Sequence, residues 1–118
     1  MTLYDRHGTP TAYSEDGEHI YLFTGHPVAY FYDNTVYGFN GHQFGWFENG
    51  WVRDLYGKCV FFTEDACGSG PVKPVKKVKP VKSVKRVKPV KSVKQVRKVK
   101  AINSLNWSEL SGIQFFDQ

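Results

Sequence analysis

The sequence predicts an all-β fold: four sequential β-hairpins in a pseudo-four-fold array, followed by an extended basic repeat and a short aromatic segment. Residues 2–66 align with themselves four times, and valine recurs at every third position from Val72 to Val99. Aromatic side chains then return near the C-terminus. We therefore divide the chain into three parts. They are a four-hairpin domain at 1–66, a low-complexity basic tail at 67–101 and a docking segment at 102–118.

The four copies in the first domain repeat at a spacing of sixteen or seventeen residues. They read LYDRHGTPTAYSEDG, IYLFTGHPVAYFYDN, VYGFNGHQFGWFENG and VRDLYGKCVFFTEDA. One glycine falls in register in every copy, at Gly8, Gly25, Gly41 and Gly57. One aromatic residue does the same, at Tyr13, Tyr30, Trp46 and Phe62. Self-similarity at a fixed period indicates a repeated supersecondary unit.

Each copy contains two short runs rich in Tyr, Phe, Val and Trp on either side of a turn signal, which is the pattern of a β-hairpin. The turn within a copy is x-Gly, as in Asn40-Gly41, and pairs such as Asp33-Asn34 join the copies. Such pairs tolerate the positive φ that two-residue type I′ turns require. The predicted strands lie near residues 2–7, 9–14, 19–24, 26–32, 35–40, 42–48, 51–56 and 58–64.

Four equal hairpins hide their apolar faces and strand edges best around a shared axis. The segments YDRHGTPTAY (4–13), IYLFTGHPVAY (20–30), VYGFNGHQFGWF (36–47) and RDLYG (53–57) resemble the 4-fold beta-flower domain family of bacterial proteins. The resemblance covers residues 2–66 and implies four β-hairpins around a pseudo-four-fold axis. It implies no established activity and no catalytic residues.

The tail, PVKPVKKVKPVKSVKRVKPVKSVKQVRKVK at residues 71–100, has a strict three-residue period. A strand would place its valines alternately on two faces, and an α-helix would spread them around its circumference. Only a helix with three residues per turn, polyproline II, keeps all ten valines on one edge. Pro74, Pro80 and Pro89 suit this conformation. The alternative is a disordered basic linker with a polyproline II bias.

The length of the tail bears on where it can lie. Ten triplets in the polyproline II conformation span about 90 Å at ~3.1 Å per residue. A compact head of this size is roughly 30 Å across. We therefore expect that an extended tail cannot lie on its own head and must project, fold back or cross neighbouring protomers.

Charge divides the chain more sharply than its net value of +5 indicates, because residues 1–70 carry −6, 71–100 carry +13 and 101–118 carry −2. Thirteen cations without base-reading aromatics predict nonspecific binding of DNA, RNA or another polyanion. An anionic membrane surface is equally compatible. The predicted polyanion-binding residues are Lys73, Lys76, Lys79, Lys82, Lys85, Lys88, Lys91, Lys94, Arg97 and Lys100.

An alternative function is structural self-assembly, in which the basic tail docks on acidic heads, its own or those of neighbouring protomers. The valine edge would then enter aromatic grooves as proline-rich peptides do. The C-terminal segment offers a second contact, which could close its own head, join subunits into a homo-oligomer or bind a partner. Its predicted docking residues are Trp107, Leu110, Phe115 and Phe116.

No pattern of residues points to an enzyme, a cofactor or a metal site. His26 and His42 occupy equivalent positions, but Lys58 at the same position in the fourth copy is a poor neighbour for a metal cation. Phosphate-binding glycine loops and nucleophile elbows are missing from the sequence. Two cysteines, no N-terminal apolar stretch and no run of membrane-spanning length favour a reduced, cytoplasmic setting. The sequence therefore predicts a noncatalytic binding or assembly module.

Overall fold

The computed structural model describes residues 1–118, and its eight strands form one closed antiparallel barrel in sequence order. Each strand pairs with the next, and the last strand pairs with the first through Tyr4 and Phe62. The prediction of an all-β fold built from four sequential hairpins is confirmed. The elements are β1 Thr2–Tyr4, β2 Pro10–Tyr13, β3 His19–Leu22, β4 Pro27–Tyr32, β5 Thr35–Tyr37, β6 Gln43–Glu48, β7 Trp51–Asp54, β8 Cys59–Phe62 and α1 Gly112–Phe116.

The turns within the copies differ from the predicted type I′ turns. In the first hairpin Gly8 donates its N–H to the Asp5 carbonyl at 2.9 Å, and the strand register shifts beside the turn. Only the glycine has positive φ, so the turn carries a glycine bulge, which ends the flanking strands early. Two positive-φ residues occur together only between copies, at Asp33-Asn34 and Asn49-Gly50.

The inner face of the barrel holds the main hydrophobic core. Leu3, Ile20, Val36 and Val52 occupy the same position in the four copies, and all four are fully buried. A second inward position holds Phe61 in the fourth copy, whereas the other copies have alanine or glycine there. The three small residues leave room near the axis that large side chains from outside the hairpins can fill.

The C-terminal helix α1 fills this room. It begins at Gly112, preceded by a capping box in which Ser111 accepts from the Gln114 N–H, and the Gln114 side chain accepts from the Ser111 N–H. A Cβ on Gly112 would lie 2.8 Å from the Phe61 ring, so only glycine allows this approach. Phe115 is fully buried against Phe44 and Phe61. The C-terminal segment thus shares the core of the barrel.

Residues 71–106, which we call the belt, circle the outside of the barrel without regular secondary structure. The expectation that an extended tail cannot lie on its own head is wrong. The whole molecule measures 36 × 35 × 22 Å, the shape of a disc. A contour of about 110 Å, from 36 residues at ~3.1 Å each, matches the circumference of a disc 35 Å across. The expectation compared the tail with the diameter of the head, whereas the belt follows the perimeter.

Candidate functional site

The contact between belt and barrel repeats every nine residues. The belt consists of four nonapeptides, 71–79, 80–88, 89–97 and 98–106. The seventh residue of each nonapeptide donates its backbone N–H to the carbonyl of the glycine that recurs in one hairpin turn. These bonds are Lys77 to Gly8 at 2.9 Å, Arg86 to Gly25 at 2.9 Å, Gln95 to Gly41 at 2.9 Å and Ser104 to Gly57 at 3.0 Å. Each hairpin therefore holds one nonapeptide.

Proline is absent from the belt position that makes the repeated bond. The fourth residue of the second and third nonapeptides also donates to the barrel, from Ser83 to the Phe23 carbonyl at 2.8 Å and from Ser92 to the Phe39 carbonyl at 2.9 Å. Proline begins the first three nonapeptides and also occupies the fourth position of the first, at Pro74. The first position donates to the barrel only in the fourth nonapeptide, where the Lys98 N–H bonds the Gln43 Oε1 at 2.9 Å. No proline occupies the seventh position, where its missing N–H would remove the repeated bond.

The four turn glycines also let the belt approach closely. A Cβ built on Gly25, which has φ +91°, would lie 2.1 Å from the Val84 carbonyl oxygen. A Cβ built on Gly8, Gly41 or Gly57 would likewise lie 2.1 to 2.2 Å from the equivalent belt carbonyl oxygen. An alanine at any of these positions would therefore need both a strained backbone and a displaced belt.

We expect Gly25→Ala to displace the second nonapeptide, while Gly17→Ala isolates the backbone strain. Gly17 has φ +75°, and no heavy atom lies within 4 Å of the place that a Cβ would occupy, so its substitution costs only about 1–2 kcal/mol of backbone strain. Gly25→Ala adds the collision with the belt. Native-state proteolysis should cleave residues 80–88 faster in Gly25→Ala than in Gly17→Ala. Equal cleavage of the two variants would contradict a close contact at this turn.

Lysine side chains, and not valines, meet the aromatic surface of the barrel. Neighbouring copies meet at four pairs of strands, which we call junctions and number in the order that the belt crosses them: β8/β1, β2/β3, β4/β5 and β6/β7. An aromatic pair lies on the outer face of each of the first three junctions. Lys82 Nζ lies 4.6 Å from the Tyr13 ring centroid, and Lys91 Nζ lies 4.4 Å from that of Tyr30. These are cation–π distances, and the lysine stems cover the rings.

The valine edge faces solvent, so the expectation that valines enter aromatic grooves is wrong. All ten belt valines are 88–95% exposed. A lysine can reach a ring and a carboxylate at once, which a valine cannot, and this explains which edge docks. The valines nevertheless suit the belt, because β-branched residues favour extended backbone.

Carboxylates of the barrel pair with the same lysines. Glu15 accepts hydrogen bonds from Lys85 and, at 3.1 Å, from Lys82. Lys91 pairs with Glu18 at 2.7 Å. Three further ion pairs join the belt to the barrel: Lys79 to Glu64 at 3.5 Å, Arg97 to Asp33 at 2.5 Å and Lys100 to Glu48 at 2.9 Å. Each exposed pair stabilises weakly on its own, so docking depends on their repetition.

Nine of the ten predicted polyanion-binding residues contact the barrel of their own chain. Lys73 donates to the Ala66 carbonyl at 2.7 Å, and Lys76 lies over the Tyr4 ring. The others that contact a ring or a carboxylate are Lys79, Lys82, Lys85, Lys91, Lys94, Arg97 and Lys100. Lys88 contacts none. With Lys77, Arg86 and Lys98, it forms a set of four belt cations whose side chains make no hydrogen bond, ion pair or ring contact with the barrel, which we call the free cations.

Acid should loosen the belt. Hydrogen bonds from Lys85 and Lys82 lower the pKa of Glu15, and one from Lys91 lowers the pKa of Glu18, both from an ordinary value of 4.5. A carboxylate with a lowered pKa stabilises the docked state above its ordinary pKa, and this contribution is lost as pH falls through the lowered value. We expect belt amide resonances in NMR spectra to stay constant from pH 7 to pH 5 and to move toward unfolded positions below about pH 4. Resonances that stay fixed down to pH 2.5 would contradict a role for these pairs.

The fourth junction is closed by a buried arginine. Arg53 occupies the position that Tyr4, Tyr21 and Tyr37 hold in the other copies, and it is 1% exposed. Its guanidinium donates to three carbonyls: Gly57 at 2.8 Å, Ser104 at 2.7 Å and Ser69 at 2.5 Å. Ser69 precedes the belt and Ser104 lies near its end. Arg53 therefore joins the two ends of the belt after one full circuit.

Beyond the belt, the chain passes from the outside of the barrel to its core. Asn106 and Ser108 bond the backbone of Cys59 on β8, at 3.1 and 2.7 Å. The predicted docking residues lie along this path. Trp107 packs on Trp51 and Phe62 outside the barrel, Leu110 packs partly buried against the main core, and Phe115 and Phe116 lie within that core.

The belt has a nine-residue period that was not predicted from the sequence, and its triplet repeat extends beyond the predicted end at Lys100. The triplet continues through Ala101-Ile102-Asn103 and Ser104-Leu105-Asn106, with an apolar residue still in the second position. The signal that could have revealed the longer period is proline at positions 71, 80 and 89, spaced by nine. Twelve triplets divided among four hairpins give three triplets for each copy.

Outside the contact between belt and barrel, the molecule has a polar cleft and a buried thiol. A cleft of about 230 Å³ lies between the first hairpin turn and the C-terminal segment, lined by Arg6, His7, Ser108 and Glu109 among others. No three His, Cys, Asp or Glu side chains are grouped so that they could hold a metal ion. Burial raises the pKa of the Cys59 thiol to about 11. None of the helices has the length and apolar character needed to cross a membrane.

Comparison with known families agrees with the architecture. A family model described as 4-fold beta flower protein matches residues 1–116, and this confirms the resemblance noted in the sequence. The match extends beyond residues 2–66 and includes the belt and the whole of helix α1. No curated protein and no solved structure matches the chain significantly.

Proposed function

The chain belongs to the 4-fold beta flower family, whose name describes a fold, and we propose that it is a noncatalytic binding and assembly module in which the cationic tail is a docked structural part. In this function the acidic head is the binding surface and the belt is its ligand within the same chain. The repeated bond from the seventh residue of each nonapeptide to a turn glycine carries the proposal.

The chemistry of the two surfaces supports the proposal. The head carries −6 and the tail +13, and most tail cations lie on rings or carboxylates of the head. A tail whose only task was to solubilise the protein or bind nucleic acid would need no match to a four-fold barrel. The belt instead supplies four similar nonapeptides to four similar hairpins. The docked belt covers the outer aromatic residues and connects the fourth hairpin to the C-terminal anchor.

Nonspecific polyanion binding is the second candidate function, and the free cations favour it. Lys77, Arg86, Lys88 and Lys98 remain available on the outside of the docked belt. They give the folded protein a small cationic surface. The nine cations that contact the head cannot neutralise phosphates without leaving their partners. Strong polyanion binding and belt docking therefore compete.

Salt-dependent binding of a fluorescent DNA duplex separates the two candidates. The slope of log K against log salt is about −0.9 for each phosphate neutralised, so a free 71–100 peptide with thirteen cations should give about −12. The full chain with only the four free cations should give about −4. A control with glutamine at Lys77, Arg86, Lys88 and Lys98 should lose the remaining binding. A full-chain slope equal to that of the peptide would contradict the docked belt and support polyanion binding by a free tail.

A further inference from the structure

The register of the belt needs an explanation, because its repeat is nearly uniform. The nonapeptides 80–88 and 89–97 read PVKSVKRVK and PVKSVKQVR, and every triplet from 71 to 100 ends in lysine or arginine. A shift by one triplet in either direction would again place cations on the rings of the first three junctions. In one direction the shift would bring Pro80 and Pro89 to the seventh position and remove two of the four repeated bonds. In the other direction it would bring only Pro74 there and remove one. Uniform repeats specify register weakly unless one position discriminates between the alternatives.

The fourth junction differs from the others on both sides of the contact. On the barrel, Arg53 replaces the tyrosine of the other copies. On the belt, Asn103 stands at the sixth position of its nonapeptide, where Lys76, Lys85 and Lys94 stand in the others. The fourth junction therefore gains a cation on the barrel, Arg53, and lacks the belt lysine that the other junctions have at the position of Asn103.

The contacts of two equivalent glutamates show how the replacement of lysine by Asn103 changes the charge balance of the fourth junction. Glu15 and Glu48 hold the same position in their copies. Glu15 accepts from two lysines, Lys82 and Lys85. Glu48 pairs with one lysine, Lys100 at 2.9 Å, and accepts from the Asn103 amide at 2.7 Å. A lysine in place of Asn103 would be the third cation around Glu48, after Lys100 and Arg53.

We propose that Arg53 determines the register of the belt by making the fourth junction accept the neutral Asn103 and reject lysine. This inference rests on the docked belt proposed above and identifies Arg53 as a residue that sets the register of the belt on the barrel. A belt displaced by one triplet would bring Lys100 to the place of Asn103, beside a buried guanidinium. A displacement in the opposite direction would bring the uncharged Asn106 there, but it would move Lys100 off Glu48 and place Pro80 and Pro89 at the seventh position. Arg53 therefore opposes the displacement that the prolines oppose least. A single polar residue fixes the register of coiled coils by the same logic.

The test is a double-mutant cycle on belt opening, measured as the rate of native-state cleavage by thermolysin beside the valines, which all variants retain. Asn103→Lys should raise the cleavage rate of the full chain about fivefold, which corresponds to about 1 kcal/mol. In an Arg53→Gln background the same lysine should leave the rate unchanged or lower it. An equal effect of Asn103→Lys in both backgrounds would overturn the proposal.

A second cycle leaves Arg53 intact, so it decides the question even if Arg53→Gln fails to fold. Tyr21→Arg places a guanidinium in the second junction beside Lys85, and it should raise cleavage there. Adding Lys85→Asn should reverse that increase, as Asn103 does in the fourth junction. If Lys85→Asn does not reduce cleavage in the Tyr21→Arg background, the proposal fails.

Failure of the docked belt itself would look different. If the unsubstituted chain is cleaved as fast as a free 71–106 peptide, the belt is not docked and the proposed function is wrong. If the unsubstituted chain is protected but neither cycle shows coupling, docking stands and only the role of Arg53 in register is lost.

Discussion

Replacing Phe115 with alanine should destabilise the protein by about 3–5 kcal/mol, a large part of the stability of a small domain. Phe115 is fully buried and packs edge-to-face on Phe44 and Phe61, with ring centroids 5.8 and 5.9 Å apart. Removal of the Phe115 ring leaves a cavity near the barrel axis, because the first three copies contribute only Ala12, Ala29 and Gly45 there. Chemical denaturation followed by tryptophan fluorescence would give the free energy of unfolding.

Ile113→Ala is the matched control for this substitution. Ile113 belongs to the same helix but is 52% exposed, so its truncation should cost less than about 1 kcal/mol. Phe115→Ala should also release the end of the belt, because the helix anchors residues 107–118. A loss of stability in Phe115→Ala no larger than that in Ile113→Ala would contradict a C-terminal segment inserted in the core.

Arg53→Met should cost about 3 kcal/mol, because each lost hydrogen bond from a charged donor contributes about 1.5–3 kcal/mol and water replaces part of the loss at the partly exposed carbonyls. The substitution keeps much of the buried side-chain volume but leaves the carbonyls of Gly57, Ser69 and Ser104 without their donor. Both ends of the belt should therefore loosen together. Denaturation gives the stability, and hydrogen exchange at Ser104 reports the belt end.

Two further variants test whether stability depends on the several N–H donors of the Arg53 guanidinium or only on its charge. Arg53→Lys retains the charge but cannot span three carbonyls, so it should fall between the original protein and Arg53→Met. Arg86→Met removes one of the free cations and should change stability by less than about 0.5 kcal/mol. Equal stability of Arg53→Met and Arg86→Met would exclude Arg53 as the residue that joins the belt ends.

The barrel could be predicted from sequence because its signals are local and repeated. The aligned glycines and the aromatic runs of each copy indicate a hairpin without reference to the rest of the chain. The need to protect strand edges predicted an array around a shared axis, and the structure closes that array through Tyr4 and Phe62. The turn type within the copies was wrong, because x-Gly suits both a type I′ turn and a glycine bulge.

The belt could be predicted only in part. Its three-residue period indicated one edge of valine and one of lysine, but not which edge would face the barrel. That choice depends on the outer surface of the barrel, where a tyrosine pair lies next to a carboxylate at the second junction. The match of nine belt residues to each hairpin is a relation between two distant repeats, so neither repeat shows it alone.

Arg53 was the least predictable residue of the site. An arginine on a strand usually faces solvent, and its sequence neighbours gave no indication that Ser69 and Ser104 would meet beside it. The departure of the fourth copy from tyrosine and the departure of the fourth nonapeptide from lysine become meaningful only when the two are aligned in space.

Amide hydrogen exchange across residues 71–106, read by NMR, tests the docked belt most directly. The N–H groups of Lys77, Arg86, Gln95 and Ser104 donate to the barrel, whereas no valine N–H of the belt has a backbone acceptor. We predict slow exchange that recurs every nine residues at these four amides, with fast exchange at the valines between them. Uniformly fast exchange from residue 71 to residue 106 would show that the tail is free and would contradict the docked belt.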